Sequence, residues 1–240
     1  MTADDLTTLV SGASRFGVSL TANQVEQFML YRELLILWND RVNLTAITNL
    51  GEIEERHFLD SISCVLGTGD LNGRKLVDVG SGAGFPGIPL KIAYPGMGLT
   101  LVESIGKKAT FLQEVCEVLS LEAVNVLAER VEVVGQQEEF RGHFDWAVSR
   151  AVARLNILVE YLLPLCKVGG FALAQKGPKT VSEVADATEA IARLGGGEVK
   201  ILDANPMYHK EKRYLVIIKK VAPTPKNYPR RPGKPAKNPL

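Results

Sequence analysis

The stretch Lys75-Leu-Val-Asp-Val-Gly-Ser-Gly-Ala-Gly-Phe-Pro-Gly-Ile-Pro89 decides the fold, because an apolar run breaks there into four glycines and then restarts in a helical pattern. Leu76, Val77 and Val79 favour a strand, and the glycines let the backbone adopt positive φ and approach a ligand closely. A helix predicted at 89–94 would turn its unpaired N–H groups toward a molecule above the loop. The stretch therefore predicts a nucleotide-like ligand at the carboxyl end of a parallel strand.

Two classes of protein use such a loop. Gly82-Ala-Gly84-Phe-Pro-Gly87 fits the dinucleotide fingerprint of nicotinamide enzymes, and Glu103 stands where a ribose-binding acid is expected. The overlapping run Gly80-Ser-Gly82-Ala-Gly84, with Asp78 two residues before it, resembles instead the first motif of S-adenosylmethionine-dependent methyltransferases. The loop alone leaves both classes open.

The length and composition indicate one sizeable α/β core with an added helical segment. The chain has 240 residues, of which 46% are hydrophobic, and this does not require two domains. No apolar run approaches the roughly 20 residues needed to cross a bilayer, and Met1-Thr-Ala-Asp-Asp5 is acidic where a signal peptide would be basic. We therefore expect a cytoplasmic protein with no membrane contact.

The three cysteines do not indicate a metal site. Cys64, Cys116 and Cys166 are far apart in the sequence and lack both a C-x-x-C spacing and nearby histidines. Neither a disulfide framework nor a zinc site is therefore predicted. We expect three buried thiols in helices.

The net charge of +1 hides a strong asymmetry along the chain. Residues 212–240 hold nine basic residues and no acid, whereas residues 1–211 carry a net charge of −8. An acidic body with a concentrated basic end favours a polyanionic partner that is bound at one place. Six of the twelve prolines fall in 223–240, which also fits a disordered tail that only aids solubility.

The first third of the chain is predicted to be helical. Thr21-Ala-Asn-Gln24 has the form of a capping box, and a helix of about 18 residues follows it. A second helix is predicted at 50–66. His57 and Asp60, three residues apart on this helix, could form a catalytic pair, but nothing nearby supplies a nucleophile. We therefore interpret them as part of a capped or salt-bridged helix surface.

From Arg74 onward, strand and helix patterns alternate, which predicts a mostly parallel sheet with helices on both faces. The clearest helices are predicted at 107–120 and 154–166. Leu202-Asp-Ala-Asn-Pro206 and a late strand predict a final hairpin, so that the last strand is antiparallel. The predicted strands are 76–79, 99–102, 124–128, 144–149, 171–175, 199–202 and 214–219.

The expected fold class is a Rossmann-like class I methyltransferase sheet with an N-terminal helical extension, because a hairpin ending is typical of methyltransferases and less so of nicotinamide domains. The predicted domain organisation has three parts. An N-terminal helical extension at 1–72 packs on a methyltransferase domain at 73–221. A basic, proline-rich segment follows at 222–240.

Several motifs, in this order and spacing, resemble the glucose-inhibited division protein B family. The resemblance runs from about residue 20 to the C-terminus. It implies a bacterial S-adenosylmethionine-dependent methyltransferase that modifies N7 of a guanine in 16S ribosomal RNA. The motifs are Arg56-His-Phe-Leu-Asp-Ser61, Asp78-Val-Gly-Ser-Gly-Ala-Gly-Phe-Pro-Gly-Ile-Pro-Leu-Lys-Ile92, Arg130-Val-Glu132, Asp145-Trp-Ala-Val-Ser-Arg-Ala151, Gln175-Lys-Gly177 and Tyr228-Pro-Arg-Arg-Pro-Gly-Lys-Pro235.

The resemblance also implies the positions of the cofactor contacts. A glycine in the loop would admit the amino-acid end of S-adenosylmethionine, an acid after the second strand would accept the ribose hydroxyls, and a pair after the third strand would contact adenine. The corresponding residues in this chain are Gly80, Phe85, Glu103, Ser104, Ile105, Val131, Glu132 and Arg150. The alternative interpretation is that they are tight-turn glycines, a core phenylalanine and surface charges.

Methylation at N7 places few demands on the protein. N7 of guanine offers a lone pair, so that neither a general base nor a metal ion is implied, and positioning and charge should supply most of the catalysis. We expect Lys176 to contact the RNA, with Arg154 and Arg213 as weaker candidates, although Lys176 also fits a plain surface lysine. The expected partner is 16S ribosomal RNA or the small subunit, including an assembly intermediate, and we expect a monomer to bind it.

Two other functions remain open at this level. The first is an NAD(P)-dependent oxidoreductase that uses the same glycine-rich loop. The second is a non-catalytic RNA-binding assembly factor. Transfer of a labelled methyl group from S-adenosylmethionine to RNA would separate all three.

Overall fold

A computed structural model of the chain describes residues 6–204 and 212–240. Its centre is a seven-stranded sheet in the order β3-β2-β1-β4-β5-β7-β6. The strands are β1 (Lys75–Val79), β2 (Gly98–Val102), β3 (Val124–Leu127), β4 (Phe144–Arg150), β5 (Cys166–Lys176), β6 (Gly196–Asp203) and β7 (Tyr214–Lys220).

Helices cover both faces of this sheet. The segment α3 (Leu50–Ile53) continues without a break into a π-helix at Glu54–Leu59 and then into α4 (Asp60–Ile62). The other helices are α1 (Thr7–Arg15), α2 (Ala22–Val42), α5 (Val65–Thr68), α6 (Gly87–Ala93), α7 (Gly106–Val118), α8 (Val131–Val134), α9 (Leu155–Leu162), α10 (Thr180–Arg193) and α11 (Lys234–Lys237).

The predicted sheet is confirmed. Strands β1 to β5 run parallel to one another, and β7 runs antiparallel to both β5 and β6. All seven strands fall where the sequence predicts them, within a few residues. Asn205 and Pro206, which were predicted to form the hairpin turn, lie outside the described residues.

The N-terminal helices pack on one face of the sheet. The Thr21 side chain accepts a hydrogen bond from the Gln24 backbone, and the Gln24 side chain accepts one from the Thr21 backbone, so that the predicted capping box is confirmed. Phe28 and Tyr31 of α2 are fully buried in the same apolar cluster as Leu76 of β1. The predicted boundaries between the three parts of the chain stay a prediction.

Of the salt-bridged helix surface predicted around His57, the salt bridge is present between Asp60 and Arg150, but the surface location is wrong. The π-helix Glu54–Leu59 changes the helical register, and His57 is only 8% exposed while Asp60 is 4% exposed. Both side chains point into the protein instead of forming a solvated salt-bridged face. A π-helical turn of this kind is frequent at functional sites.

The cysteines are free thiols, as expected, but they do not all lie in helices. Cys64 and Cys166 are buried, Cys116 is partly buried, and Cys166 begins strand β5. Within residues 6–204 and 212–240 no helix is both long and apolar enough to span a bilayer.

The basic C-terminal segment, residues 222–240, packs against the domain. The Arg141 guanidinium donates to the carbonyl oxygens of Thr224, Pro225 and Tyr228, and Tyr228 lies in an apolar cluster with α9. Arg230 donates to both carboxylate oxygens of Glu160, whose side chain is completely buried. The interpretation of this segment as an extended or disordered tail is therefore wrong.

Arg230→Ala should destabilise the protein strongly, because it leaves the Glu160 carboxylate buried without its cation. We expect a loss of about 3–5 kcal/mol in the free energy of unfolding, measured by urea denaturation. The neighbouring Arg231 is exposed, so the matched variant Arg231→Ala should change it by less than about 0.5 kcal/mol. Equal stabilities of the two variants would contradict the role assigned to the buried pair.

Candidate functional site

The glycine-rich loop is tied to the end of β1 by Asp78. The Asp78 Oδ2 atom accepts a hydrogen bond of 2.9 Å from the Gly87 N–H at the start of α6. Asp78 is fully buried, and burial raises the pKa of its carboxyl to about 7, although the Gly87 hydrogen bond lowers that pKa. This acid therefore holds the loop, as the resemblance to the methyltransferase motif suggested.

Gly80 requires its missing side chain for two reasons. Its φ is +69°, a backbone conformation that residues with a side chain rarely adopt. A Cβ atom at this position would also lie 2.5 Å from Cγ2 of Val152, which follows β4. The glycine therefore permits a close approach between the loop and the segment after β4.

The Glu103 carboxylate, just after β2, accepts hydrogen bonds from two separate backbone segments. Its Oε2 accepts from Gly82 N–H and its Oε1 accepts from Ile105 N–H, each at 2.8 Å. Glu103 is 6% exposed, while Ser104 and Ile105 are exposed. The carboxylate thus aligns the glycine-rich loop with the N-terminus of α7 and retains lone pairs for a further donor.

A cavity of about 220 Å³, here called the glycine-loop cavity, opens at the carboxyl ends of β1, β2 and β3. Four of the predicted cofactor residues line it, namely Gly80, Ser104, Val131 and Glu132. The Glu132 carboxylate lies at its edge and accepts a hydrogen bond from Gly233 N–H. The C-terminal segment therefore closes one side of this cavity, and Ala236 contributes to its wall.

A second cavity of about 520 Å³, here called the basic cavity, lies beyond β4. Five cations line it, and two acids and two further polar side chains accompany them. The cations are Arg56, Arg150, Arg154, Lys176 and Arg213, and the other polar residues are His57, Asp60, Gln175 and Glu183. The two cavities share the wall formed by Val152 and Ala153.

Arg150 connects the basic cavity to the core. It donates to Asp60 Oδ2 at 3.0 Å, and its guanidinium lies 4.7 Å from the centre of the Phe85 ring. His57 stacks on the same ring at 4.5 Å. Burial and the charge of Arg150 lower the pKa of His57 to about 3, so the imidazole is neutral at neutral pH. The Phe85 ring packs against the Arg150 guanidinium and does not line either cavity.

Lys176 is not a plain surface lysine. Its side chain is 8% exposed, and its ammonium donates to Glu183 Oε2 at 2.8 Å and to the Ala153 carbonyl oxygen at 2.5 Å. It therefore braces the wall between the two cavities. Arg154, by contrast, is exposed at the start of α9 and faces the basic cavity.

Sequence reasoning missed several residues of the site. Val152 and Ala236 carry no recognisable signal, because they are single apolar residues, one in the irregular segment after β4 and the other in the four-residue helix α11. Asp60 and Gln175 stand inside motifs that were singled out, but spacing alone did not show that both face one cavity. Only the fold brings these segments together.

Gly80→Val should abolish binding of S-adenosylmethionine, because its side chain would clash with Val152 and force apart two segments that line the glycine-loop cavity. Gly142→Val is a matched control, since Gly142 also has a positive φ, of +71°, but no atom lies within 4 Å of its Cβ position. Both variants should be less stable by roughly 1–3 kcal/mol through backbone strain. Calorimetry should show cofactor binding in Gly142→Val only. Normal binding by folded Gly80→Val would contradict this role of Gly80.

Comparison with known proteins extends over the whole chain. The family model described as rRNA small subunit methyltransferase G matches residues 24–213. The chain is 52% identical over 230 residues to a protein of Roseiflexus castenholzii named ribosomal RNA small subunit methyltransferase G, with 95% of this chain and 97% of that protein covered. A protein of the same name from Chloroflexus aggregans is 46% identical over the full length of both chains.

Solved structures share the fold. An S-adenosylmethionine-dependent O-methyltransferase from Thermotoga maritima superposes with a TM-score of 0.53 at 15% identity, covering 80% of this chain and 72% of that one. A geranyl diphosphate C-methyltransferase from Streptomyces coelicolor, solved with S-adenosyl-L-homocysteine, gives 0.53 at 16% identity, covering 72% and 80%. The predicted Rossmann-like methyltransferase fold is thereby confirmed.

These matches decide between the two classes that the glycine-rich loop left open. The matching family model and both relatives are named as methyltransferases, not as nicotinamide enzymes. The resemblance seen in the sequence is confirmed over nearly the whole chain. The chain belongs to the rRNA small subunit methyltransferase G family.

Proposed function

We propose that this protein transfers the methyl group of S-adenosylmethionine to N7 of a guanine in 16S ribosomal RNA. The observation that carries the proposal is the pair of adjoining cavities. One has acidic groups beside a glycine-rich loop, the other has five cations, and Val152 and Ala153 form their common wall. A cofactor and a polyanionic substrate can therefore meet at one place.

The residues at the glycine-loop cavity fit S-adenosylmethionine. Gly80 lines the cavity with backbone atoms only, and the Glu132 carboxylate can accept from the exocyclic amine of adenine. Glu103 lies beside the loop with lone pairs available to the ribose hydroxyls. When bound, S-adenosylmethionine supplies a methyl group on a positively charged sulfur, and the lone pair of guanine N7 can attack it directly.

The protein contributes positioning and charge in this reaction. No proton leaves N7, so that no general base is needed, and the pKa of His57, which is lowered to about 3, makes its imidazole a weak base. Arg150, Arg154 and Lys176 line the basic cavity and would hold the phosphates or the O6 atom near the target base. Lys176 would act chiefly through the wall that it braces.

The proposal also covers the oligomeric state of the protein, its RNA substrate and the cellular compartment in which it acts. We propose that the protein acts as a monomer, whose own residues line both cavities. The relatives are named for the small subunit of the ribosome, which supports 16S ribosomal RNA as the substrate, free or within an assembling subunit. Bacterial ribosomes are assembled in the cytoplasm, where we place this activity.

The direct test is transfer of a labelled methyl group. Small subunits and free 16S RNA from cells that lack the gene should accept label from methyl-labelled S-adenosylmethionine, and digestion should release it as 7-methylguanosine. Gly142→Val serves as the active control and Gly80→Val as the inactive one. Label in another nucleoside, or none in either substrate with a protein that binds the cofactor, would refute the proposed reaction.

The salt dependence of RNA binding should depend on the exposed cations of the C-terminal segment. Arg230 is excluded because Glu160 holds it, whereas Arg231, Lys234 and Lys237 are exposed beside the glycine-loop cavity. Each phosphate contact adds roughly 0.7–0.9 to the log–log salt slope, so replacing these three by Ala should lower it by about 2–3 units. Cofactor affinity should not change.

A control variant that loses the same charge elsewhere on the protein separates the effect of location from the effect of net charge. Arg74, Lys75 and Lys219 are exposed at the opposite, amino-terminal edge of the parallel strands. Their replacement by Ala should leave the slope within about 1 unit of the unmodified protein. Equal effects of the two triple variants would assign the C-terminal cations to net charge alone.

A further inference from the structure

We propose that Asp60 and Gln175 recognise the Watson–Crick edge of the target guanine inside the basic cavity. The inference rests on the proposed function and deepens it, because it names the residues that select guanine over other bases. It starts from an excess of buried hydrogen-bond acceptors. Within residues 6–204 and 212–240, three buried side-chain oxygens accept no hydrogen bond, and they are Asp60 Oδ1, Asp78 Oδ1 and Gln175 Oε1.

Two of these three oxygens belong to residues that line the basic cavity. Asp60 is 4% exposed and Gln175 is 6% exposed. A buried acceptor without a donor costs free energy, so proteins rarely keep one unless a ligand or water satisfies it. Two such oxygens on residues that line one cavity are therefore candidate acceptors for a ligand that brings two hydrogen-bond donors.

Both side chains are held in place by their other polar atoms. Gln175 Nε2 donates to the Asp60 carbonyl oxygen at 2.6 Å, which leaves the Oε1 atom as the end of the amide without a donor. Asp60 Oδ2 accepts from Arg150 at 3.0 Å, while Oδ1 has only the Arg213 Nε atom at 3.8 Å, beyond hydrogen-bond distance. The two acceptors thus lie on joined, prearranged residues.

Guanine offers the matching donors. Its Watson–Crick edge carries the N1–H group and the exocyclic amine at C2, whereas adenine carries a lone pair at N1. Enzymes that act on a base commonly bind it outside the helix and recognise this edge with hydrogen bonds. Of the two candidate acceptors, one would accept from N1–H and the other from the amine.

The sheet order places N7 in the required direction. Gln175 is the penultimate residue of β5 and is paired with Arg150 of β4. Strand β4 in turn lies beside β1 and its glycine-rich loop. Two strand spacings separate Gln175 from Gly80, a distance of roughly 10 Å. A hydrogen bond and the width of a guanine span this distance, so a base held at Gln175 directs N7 across β4 toward the glycine-loop cavity.

The test removes one hydrogen-bond donor from the RNA and one acceptor from the protein, and asks whether the two losses have a common effect. The modified guanosine, once mapped, is replaced by inosine, which keeps N7, O6 and N1–H and lacks only the amine. Single-turnover methylation by the unmodified protein at saturating S-adenosylmethionine should fall roughly tenfold, as expected for one lost hydrogen bond to a buried acceptor. The RNA is used free or in reconstituted subunits, whichever is the substrate.

Two variants identify the acceptor. Gln175→Met removes Oε1 at similar volume. In Asp60→Asn, Arg150 retains the oxygen at the Oδ2 position, so that the new amide nitrogen takes the Oδ1 position and presents a donor. The inosine penalty should disappear in one of the two variants, and Gln175→Glu, which keeps an acceptor, should retain it. Gln113→Met, an exposed glutamine on α7, should behave like the unmodified protein.

The outcomes separate this inference from the proposed function. If guanine N7 is methylated and inosine is methylated equally fast by the unmodified protein, the inference is wrong and the function stands. A penalty that persists unchanged in both variants also refutes it. If calorimetry shows that Gln175→Met weakens S-adenosylmethionine binding while discrimination against inosine is kept, the acceptors serve the cofactor instead.

Discussion

The hydrogen bond from Gly87 N–H to the buried Asp78 carboxylate determines the geometry of the whole site. It joins the end of β1 to the start of α6, and a Cβ atom at Gly87 would lie 2.8 Å from Asp78 Oδ2 and from Leu101 Cδ2. The helix can therefore begin this close to the sheet only at a glycine. Residues 80–86 must then return over the strand end, which leaves backbone and no side chain facing the glycine-loop cavity.

The position of this hydrogen bond in the sheet explains why two cavities meet there. Strand β1 lies between β2 and β4, so the chain crosses to opposite sides of β1 at this point. In open α/β sheets, ligands bind at the crevice where the strand order reverses. The glycine-loop cavity lies on the β2 side and the basic cavity on the β4 and β5 side, with Val152 and Ala153 between them.

Local patterns in the sequence predicted the elements well, since a strand, a capping box or a glycine turn depends on neighbours in the chain. The Thr21 cap and all seven strands are examples. Pairings between distant residues could not be read in the same way. The π-helical register that buries His57 and the pairing of Arg230 with Glu160, 70 residues away, arise only when the segments pack.

The site residues also divide into those that a local pattern predicts and those whose contacts depend on distant segments. Gly80 could be chosen from the loop pattern, because a positive φ is a local property. The backbone N–H groups that donate to the Glu103 and Glu132 carboxylates could not be predicted from the sequence. Glu103 binds the backbone of Gly82 and Ile105, and Glu132 binds the backbone of Gly233, so each acid serves the architecture of the cavity before any ligand is bound.

The basic charge of the C-terminal end has two separate uses. Part of it is internal, because Arg230 pairs with buried Glu160, and Lys220 donates to the Leu194 carbonyl oxygen in a site where burial lowers its pKa to about 8. These cations hold the segment against α9 and α10. The exposed cations are carried on the same segment, whose Gly233 and Ala236 complete the glycine-loop cavity. Folding of one segment therefore places exposed positive charge beside the glycine-loop cavity, which a flexible basic tail could not do.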